Sequence, residues 1–218
     1  FPILSAEKRA KTLCGKSLPM KNSYLATEKE FNAAMRTIHT DEIISNIREM
    51  CIEANLTLSP DMQQVIKQAQ EDRIPICQDT GMAIVFVKLG QDVHIEGMNL
   101  TDAINEGVRQ GYTDGYLRKS VVKDPLLREN TKDNTPAIIH YDIVPGDKLE
   151  LLIAPKGFGS ENMSRIFMLK PADGVEGIKA SVLQAVRDAG PNACPPMVIG
   201  VGLGGDFEKS AILAKTAL

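Results

Sequence analysis

The spacing of apolar positions divides the chain into a helical first part and a mixed second part. Between residues 27 and 56, apolar side chains recur three or four positions apart, which places them on one face of a helix. Ser59 and Pro60 then have the character of an N-cap and a first helical residue, and predict a second helix over 59–71. We therefore expect the N-terminal third to be helical.

From residue 74 onwards, short β-branched runs alternate with stretches of helical spacing. The runs predict strands at 82–89, 135–144, 148–154 and 197–205, with the middle two joined by a tight turn at Pro145-Gly146-Asp147. The helical stretches are 100–114, 175–190 and 208–218. This order predicts an α+β (mixed α/β) fold, with a helical N-terminal lobe followed by a mixed-sheet lobe with flanking helices. We expect residues 1–23 to form an irregular lead-in and 24–218 one domain, truncated at its C-terminus.

Composition and charge narrow the class of protein. The 218 residues carry 25 Lys and Arg against 28 Asp and Glu, a net charge of −3. This balance argues against a broad nucleic-acid or anionic-membrane surface. No apolar run approaches the roughly 20 residues of a membrane span, and no secretory signal is evident. We therefore expect a cytoplasmic protein that binds neither nucleic acid nor membrane.

The segment I-P-I-C-Q-D-T-G, residues 74–81, concentrates reactive side chains just before a predicted strand. The Cys77 thiolate is a soft ligand suited to iron–sulfur, copper(I) or zinc sites. Gln78 can donate to a substrate carboxylate, and Asp79 can orient a proton-transfer group. The competing interpretation is a polar turn around a structural cysteine.

Three further positions are candidates for binding. Cys194, in N-A-C-P-P, is held by two prolines that bias it towards extended backbone, although cysteines at such junctions often only pack. The loop 154–162 places Gly157 beside Lys156, and successive backbone N–H groups there can bind an anion. The alternative is that the loop only connects a strand to the next element. Arg118 can bind a carboxylate through two parallel hydrogen bonds, or can be a solvated surface residue.

Other familiar sites are poorly supported. The four cysteines, at positions 14, 51, 77 and 194, form no C-x-x-C pair, and Cys51 falls on the apolar face of a predicted helix. The histidines at 39, 94 and 140 are too far apart for a local metal site. G-V-G-L-G-G at 200–205 follows a predicted strand, but it lacks the G-x-G-x-x-G spacing of a dinucleotide-binding turn.

Six segments taken together, and in this order, resemble class I (iron–sulfur) fumarases and the α subunits of two-chain fumarases and L-tartrate dehydratases. The resemblance covers roughly residues 25–218, and its one mild departure is Phe158 in a run that is usually all glycine. The segments are C-Q-D-T-G (77–81), L-R-K-S (117–120), D-N-T-P-A (133–137), V-P-G-D-K-L-E (144–150), K-G-F-G-S-E-N (156–162) and A-C-P-P-M-V-I-G-V-G-L-G-G-D-F-E-K (193–209).

The resemblance implies a 4Fe–4S cluster held by three cysteines. Cys77 and Cys194 match two of these ligands, and the third is expected beyond residue 218. The resemblance also implies a β subunit or C-terminal domain of the same enzyme as partner, and homodimerisation of the α part.

The resemblance further implies a small dicarboxylate substrate. Gln78, Arg118 and Gly157 match substrate-binding positions, and Asp79 matches a catalytic position in proton transfer. The favoured function is the reversible hydration of fumarate to L-malate, and the nearest alternative is L-tartrate dehydratase or another 2-hydroxy-diacid hydro-lyase. A non-catalytic interaction module that has lost its cluster is a different class, and a nucleotide-binding protein is a third.

Overall fold

The computed structural model describes residues 36–56, 71, 81–193 and 198–218. The chain divides into two compact units, each of which is described by itself. The first, called the sheet unit, comprises Met20–Gly157, and the second comprises Phe1–Pro19 and Phe158–Leu218. Within the described ranges, none of the helices is both long and apolar enough to span a bilayer.

Two helices of the sheet unit pack closely through glycines. Helix α1 spans Thr40–Leu56 and helix α2 spans Leu100–Asp114. A Cβ placed on Gly107 would lie 2.7 Å from the Cβ of Ile47, and one on Gly111 would lie 2.6 Å from the Cβ of Cys51. Because both distances are shorter than carbon–carbon contact, only glycine permits this approach at either position of α2.

The start of the sheet unit differs from the sequence prediction. Within the helix expected over 27–56, residues Arg36–His39 form strand β1, which pairs in parallel with β3, Val93–Glu96. Alternate residues of β1 are buried, so the segment satisfies a period of two better than a helical period. Helix α1 begins only at Thr40, and most of the helix expected over 59–71 lies outside the described residues.

A three-stranded mixed sheet has the order β4–β2–β5. The central strand β2, Met82–Gly90, is parallel to β4, Ile138–Val144, and antiparallel to β5, Leu149–Lys156. These strands and α2 confirm the sequence predictions. The expected turn between β4 and β5 is present, but the two strands flank β2 instead of pairing with each other.

The β4–β5 connection therefore crosses the end of β2. The backbone N–H groups of Gly90 and Asp92 donate to the carbonyls of Lys148 and Gly146, at 2.7 and 2.9 Å. A Cβ on Gly90 would lie 2.4 Å from the Gly146 oxygen, so the crossing requires glycine at that point. One consequence is that the first residues of β2 and β4 and the last of β5 share one edge of the sheet.

The core of the sheet unit lies among α1, α2 and the strands. Each large aliphatic side chain buried there contributes on the order of 1.5–3 kcal/mol. The fully or almost fully buried members include Ile43, Ile47, Ile104, Val108, Val85, Val87 and Tyr112.

The second unit is helical in its described part. Its longer helices are α4, Gly174–Ala189, and α5, Phe207–Thr216, which confirm the two predicted there. A short α3 spans Phe158–Glu161, and 3-10 turns span Pro171–Asp173 and Gly190–Ala193. Helices and mixed sheets together confirm the predicted α+β class.

The prediction of a strand over 197–205 is wrong for the described residues 198–205, which form no strand. Cβ atoms on Gly200 and Gly202 would lie 2.0 Å from the carbonyl oxygens of Ala214 and Ser210 in α5. The segment thus lies against a helix backbone, and packing accounts for both glycines. This removes the main sequence feature that had suggested a nucleotide-binding turn.

Candidate functional site

Three of the segments singled out in the sequence meet at one edge of the mixed sheet. Met82 pairs with Lys156, and Ile84 pairs with Ile138, so β2 and β4 begin where β5 ends. Gly81 closes the segment 77–81, residues 133–137 lead into β4, and Lys156 opens the segment 156–162. The topology therefore brings together segments that are about 20 to 75 residues apart in the chain.

Gly81 is held in a conformation that other residues rarely adopt. Its φ is +55°, and a Cβ added to it would lie 1.6 Å from the carbonyl oxygen of Lys156. The same Cβ would lie 2.8 Å from the Cα of Gly157, so the obstruction is backbone that cannot rotate away. Gly81, the last residue of the 77–81 segment, therefore lies against the end of β5.

Asn134 ties this point to the segment that carries Arg118. Its side chain is fully buried, and its φ is +63°, a left-handed value that Asn tolerates better than most residues. The Oδ1 atom accepts the backbone N–H groups of Ser120 and Val121 at 2.7 and 3.0 Å. The Nδ2 atom donates to the Gly81 carbonyl at 3.1 Å. One amide therefore joins three segments by three hydrogen bonds.

Arg118 is exposed on this tethered segment. Its neighbour Leu117 is buried, and the Leu117 N–H donates to the Tyr112 carbonyl at 3.1 Å. Two residues after Arg118, the Ser120 N–H donates to Asn134. The backbone is therefore fixed on both sides of Arg118, which limits the region that its guanidinium can reach.

At the end of β5, a lysine and a glycine are both buried. Lys156 is 8 % exposed, and its Nζ donates to the Gly157 carbonyl at 3.4 Å. Gly157, predicted as a substrate-binding position, is buried directly after the strand. The Lys156 amine is therefore held beside the backbone for which the sequence predicts either an anion-binding loop or a plain connection.

Asp133 stabilises the entry into β4. Partial burial acts to raise the pKa of Asp133, but hydrogen bonds from Thr135, Arg109 and Thr131 outweigh it and lower that pKa to about 2. The Arg109 Nε lies 3.0 Å from Asp133 Oδ2, and Arg109 also forms an ion pair with Glu106. Asp133 is therefore ionised at neutral pH and acts as a fixed acceptor that orients the residues next to Asn134.

Four of the predicted site residues lie outside the described part of the structure: Cys77, Gln78, Asp79 and Cys194. Their predicted roles stay predictions. Of the described site residues, Arg118 and Gly157 lie on segments that meet near Gly81. Asn134, which was not among the predicted site residues, forms three hydrogen bonds with the segments that carry Arg118 and Gly81. The available signal was an Asn ahead of Thr135-Pro136, where turn chemistry favours left-handed backbone.

Cys51 is a core residue, as expected from its place on an apolar helix face. Its side chain is fully buried in α1 against α2, and burial raises the pKa of its thiol to about 12. The thiolate that a metal requires is therefore strongly disfavoured. Among the described residues, no group of three or more His, Cys, Asp or Glu side chains is placed to hold a metal ion.

Comparison with known proteins agrees with these observations. Residues 29–218 match the family described as "Fumarate hydratase (Fumerase)". The protein named "Putative L(+)-tartrate dehydratase subunit alpha" of Methanocaldococcus jannaschii is 42% identical over 185 residues, which are 82% of this chain and 61% of that protein. The L(+)-tartrate dehydratase subunit alpha of Escherichia coli K12 is 26% identical over 196 residues, which are 86% of this chain and 64% of that protein.

The chain thus spans a little under two thirds of the length of these curated relatives. The family match extends over most of the chain, and it includes every segment that meets near Gly81 as well as residues 198–218 of the second unit. The chain therefore belongs to the fumarate hydratase (fumerase) family of hydro-lyases.

Proposed function

We propose that this chain is the α part of an iron–sulfur hydro-lyase that reversibly hydrates fumarate to L-malate. The observation that carries the proposal is that the segments 77–81, 133–137 and 156–162 meet at one edge of the sheet. Asn134 also joins the segment that carries Arg118 to Gly81. A site assembled from distant parts of a chain needs fixed geometry, and this edge provides it.

The binding of a dicarboxylate follows from the charges at this edge. Arg118 projects from a backbone fixed on both sides and binds one carboxylate through its guanidinium. Gln78 and the backbone around Gly157 contribute further donors, and Asp79 takes part in proton transfer to or from the carbon next to the hydroxyl. The chain has a net charge of −3, so these local groups and the partner's cations attract the dianion.

The family implies a 4Fe–4S cluster, and the donor chemistry of this chain fits one. Cys77 and Cys194 are the thiolates that would hold it, since thiolate sulfur is the ordinary ligand of such clusters. Cys51 is fully buried and its thiol pKa is raised, which agrees with a packing role for this cysteine. The resemblance implies that the third thiolate lies beyond residue 218. When bound, the cluster supplies a Lewis acid for the hydroxyl group that leaves or adds.

The partner follows from the same reasoning. The relatives are named as α subunits, which supports a β subunit or C-terminal domain that completes the site. That partner supplies the remaining cationic residues and the main base, and the α part forms a homodimer.

L-tartrate dehydration is a second candidate function, and the names of the relatives favour it. Both reactions add or remove water across a four-carbon dicarboxylate. The segments K-G-F-G-S-E-N and D-N-T-P-A resemble the fumarase branch more closely, and for this reason fumarate is the first candidate.

The test is an anaerobic assay of the α chain reconstituted with its β partner, iron and sulfide. We expect about four iron and four sulfide per α–β unit, hydration of fumarate and little turnover of L-tartrate. Turnover of L-tartrate without fumarate hydration would replace the first candidate by the second. A reconstituted complex with zinc or no metal, and with no turnover of either acid, would instead support an interaction module.

Arg118→Gln tests the binding role directly, with Arg128→Gln as a matched control. Arg128 is also exposed and lies on the same stretch between residues 117 and 134. Removal of a charge-assisted carboxylate contact costs about 1.5–3 kcal/mol, so we expect kcat/KM for fumarate to fall by roughly 10- to 100-fold in Arg118→Gln. An equal loss in Arg128→Gln would assign the effect to net charge instead of a specific contact.

A further inference from the structure

Asn134 is the fully buried polar side chain at the point where the Arg118 segment, the 77–81 segment and the start of β4 meet. It lies 53 residues from one of its partners and 13 and 14 from the others. Since its three hydrogen bonds are all to backbone groups, Asn134 holds the backbone in place whatever the neighbouring side chains are.

We propose that Asn134 is a positioning residue for the hydro-lyase reaction, and that it sets the placement of Arg118 relative to Gly81, the residue that closes the 77–81 segment. The proposal rests on the proposed function. The two halves of the amide have separate duties. The oxygen holds the Arg118 side through Ser120 and Val121, and the nitrogen holds Gly81.

The geometry requires an amide at this position. A group that only accepts would hold Ser120 and Val121, but it would face the Gly81 carbonyl oxygen with no hydrogen to share. A group that only donates would leave two buried N–H groups without acceptors. Asn supplies both functions from one short side chain, and it also adopts the left-handed backbone at φ +63°.

Two substitutions separate these duties while preserving the backbone. Asn134→Asp is isosteric and keeps an acceptor for Ser120 and Val121, but the ionised carboxylate cannot donate to Gly81. Asn134→Gly accepts positive φ without strain and removes all three bonds. Asn99→Asp is the matched control. Asn99 is the exposed N-cap of α2, whose Oδ1 accepts the Thr101 N–H at 2.8 Å, and Asp serves as well as Asn at an N-cap.

The first measurement is the pH profile of kcat/KM for fumarate in the reconstituted holoenzyme. Full burial favours the protonated form of the introduced carboxyl, and this form donates to Gly81, so the ratio of kcat/KM in Asn134→Asp to that in wild type should rise as the pH falls. We expect this ratio to be about 0.1 or lower at pH 8 and to increase at least about threefold by pH 6. The neighbouring ionisable groups, Asp133, Arg109 and Lys156, are common to both proteins, so their titration largely cancels in the ratio.

The second measurement is hydrogen–deuterium exchange over residues 117–121, which does not depend on activity. Asn134→Gly should speed exchange at Ser120 and Val121 by at least about 10-fold, because their acceptor is gone. Asn134→Asp and Asn99→Asp should leave it near the wild-type rate. Unchanged exchange in Asn134→Gly would overturn the proposal whatever the catalytic result.

The possible failures are distinguishable. A wild-type holoenzyme that acts on no dicarboxylate overturns the proposed function. An active wild type with a flat ratio in Asn134→Asp, or with equal losses in Asn99→Asp, overturns only the role of Asn134. Failure of both Asn134 variants to fold also overturns it, because Asn134 would then serve the stability of the whole sheet unit.

Discussion

Replacement of Gly81 by alanine should damage the sheet unit far more than an ordinary glycine substitution. The new Cβ would lie 1.6 Å from the Lys156 carbonyl oxygen and 2.5 Å from its carbon, and both atoms belong to the backbone. Either the β5 end or the 77–81 segment must move to make room. Since β2 pairs with β5 from Met82 onwards, the movement would break the ladder at its first pair.

The magnitude follows from two contributions. Alanine at a left-handed φ of +55° costs about 1 kcal/mol, and forced overlap in a packed region costs about 1–3 kcal/mol more. We expect the free energy of unfolding to fall by about 3 kcal/mol, which corresponds to roughly 6–12 °C in Tm for a protein of this size. The loss is large beside a total stability of about 5–15 kcal/mol.

Gly146→Ala is the matched control for this prediction. Gly146 lies in the same unit with φ +104°, and a Cβ there would meet nothing within 4 Å. Its backbone is at least as unsuited to alanine, so any extra loss in Gly81→Ala measures the overlap alone. Urea unfolding followed by circular dichroism supplies the comparison. Equal midpoints and slopes for the two variants would refute the close contact between Gly81 and β5.

Three further predictions follow from single contacts. The pKa of Asp133 in the folded protein is about 2, against an ordinary value of 3.8, so its contribution to stability is present above about pH 4 and is lost as the pH falls towards 2. Urea unfolding of the metal-free protein should therefore show that the free energy of unfolding falls by about 2 kcal/mol over this range, and Asp133→Asn should lack this loss. Gly111→Ala gains up to about 1 kcal/mol of helix propensity but forces a Cβ to 2.6 Å from that of Cys51, so a net loss of stability is expected, and a net gain would contradict the packing. Lys156→Met should lower kcat/KM for fumarate by about 10-fold or more with little change in Tm. Lys148 is exposed, so Lys148→Met should change neither quantity. Equal kcat/KM in the two variants would show that Lys156 has no role at the site.

The sequence predicted elements well where local signals agreed. Helix α2 begins and ends at the predicted residues, 100 and 114, because Asn99 caps its start and Gly115 follows its end. Strand β1 was missed because R-T-I-H is only four residues long and directly precedes a helix with strong apolar spacing. Its strand character depends on pairing with Val93–Glu96, about 57 residues away, which local spacing does not reveal.

The strand order could not be predicted either, and the site depends on it. Two strands joined by a short turn ordinarily form a hairpin, yet here β2 lies between them. The difference arises from Gly90, whose missing side chain lets the connection pass over the end of β2. In the sequence, Gly146 alone is enough to explain a tight turn between the two strands. The role of Gly90 becomes clear only in the structure, where the two glycines are near each other.

This topology explains why the segments that meet near Gly81 contain residues with no reactive group. In the proposed function Arg118 offers a charge to a substrate, whereas Gly81 and Asn134 offer a backbone conformation and hydrogen bonds to other backbone. The two kinds of residue should therefore differ in their mutational signatures. Loss of Arg118 should weaken substrate binding and leave amide exchange unchanged, whereas loss of the Asn134 side chain should alter exchange at Ser120 and turnover together. A site built in this way is as sensitive to its backbone supports as to its charged groups, because the supports determine where those charges lie.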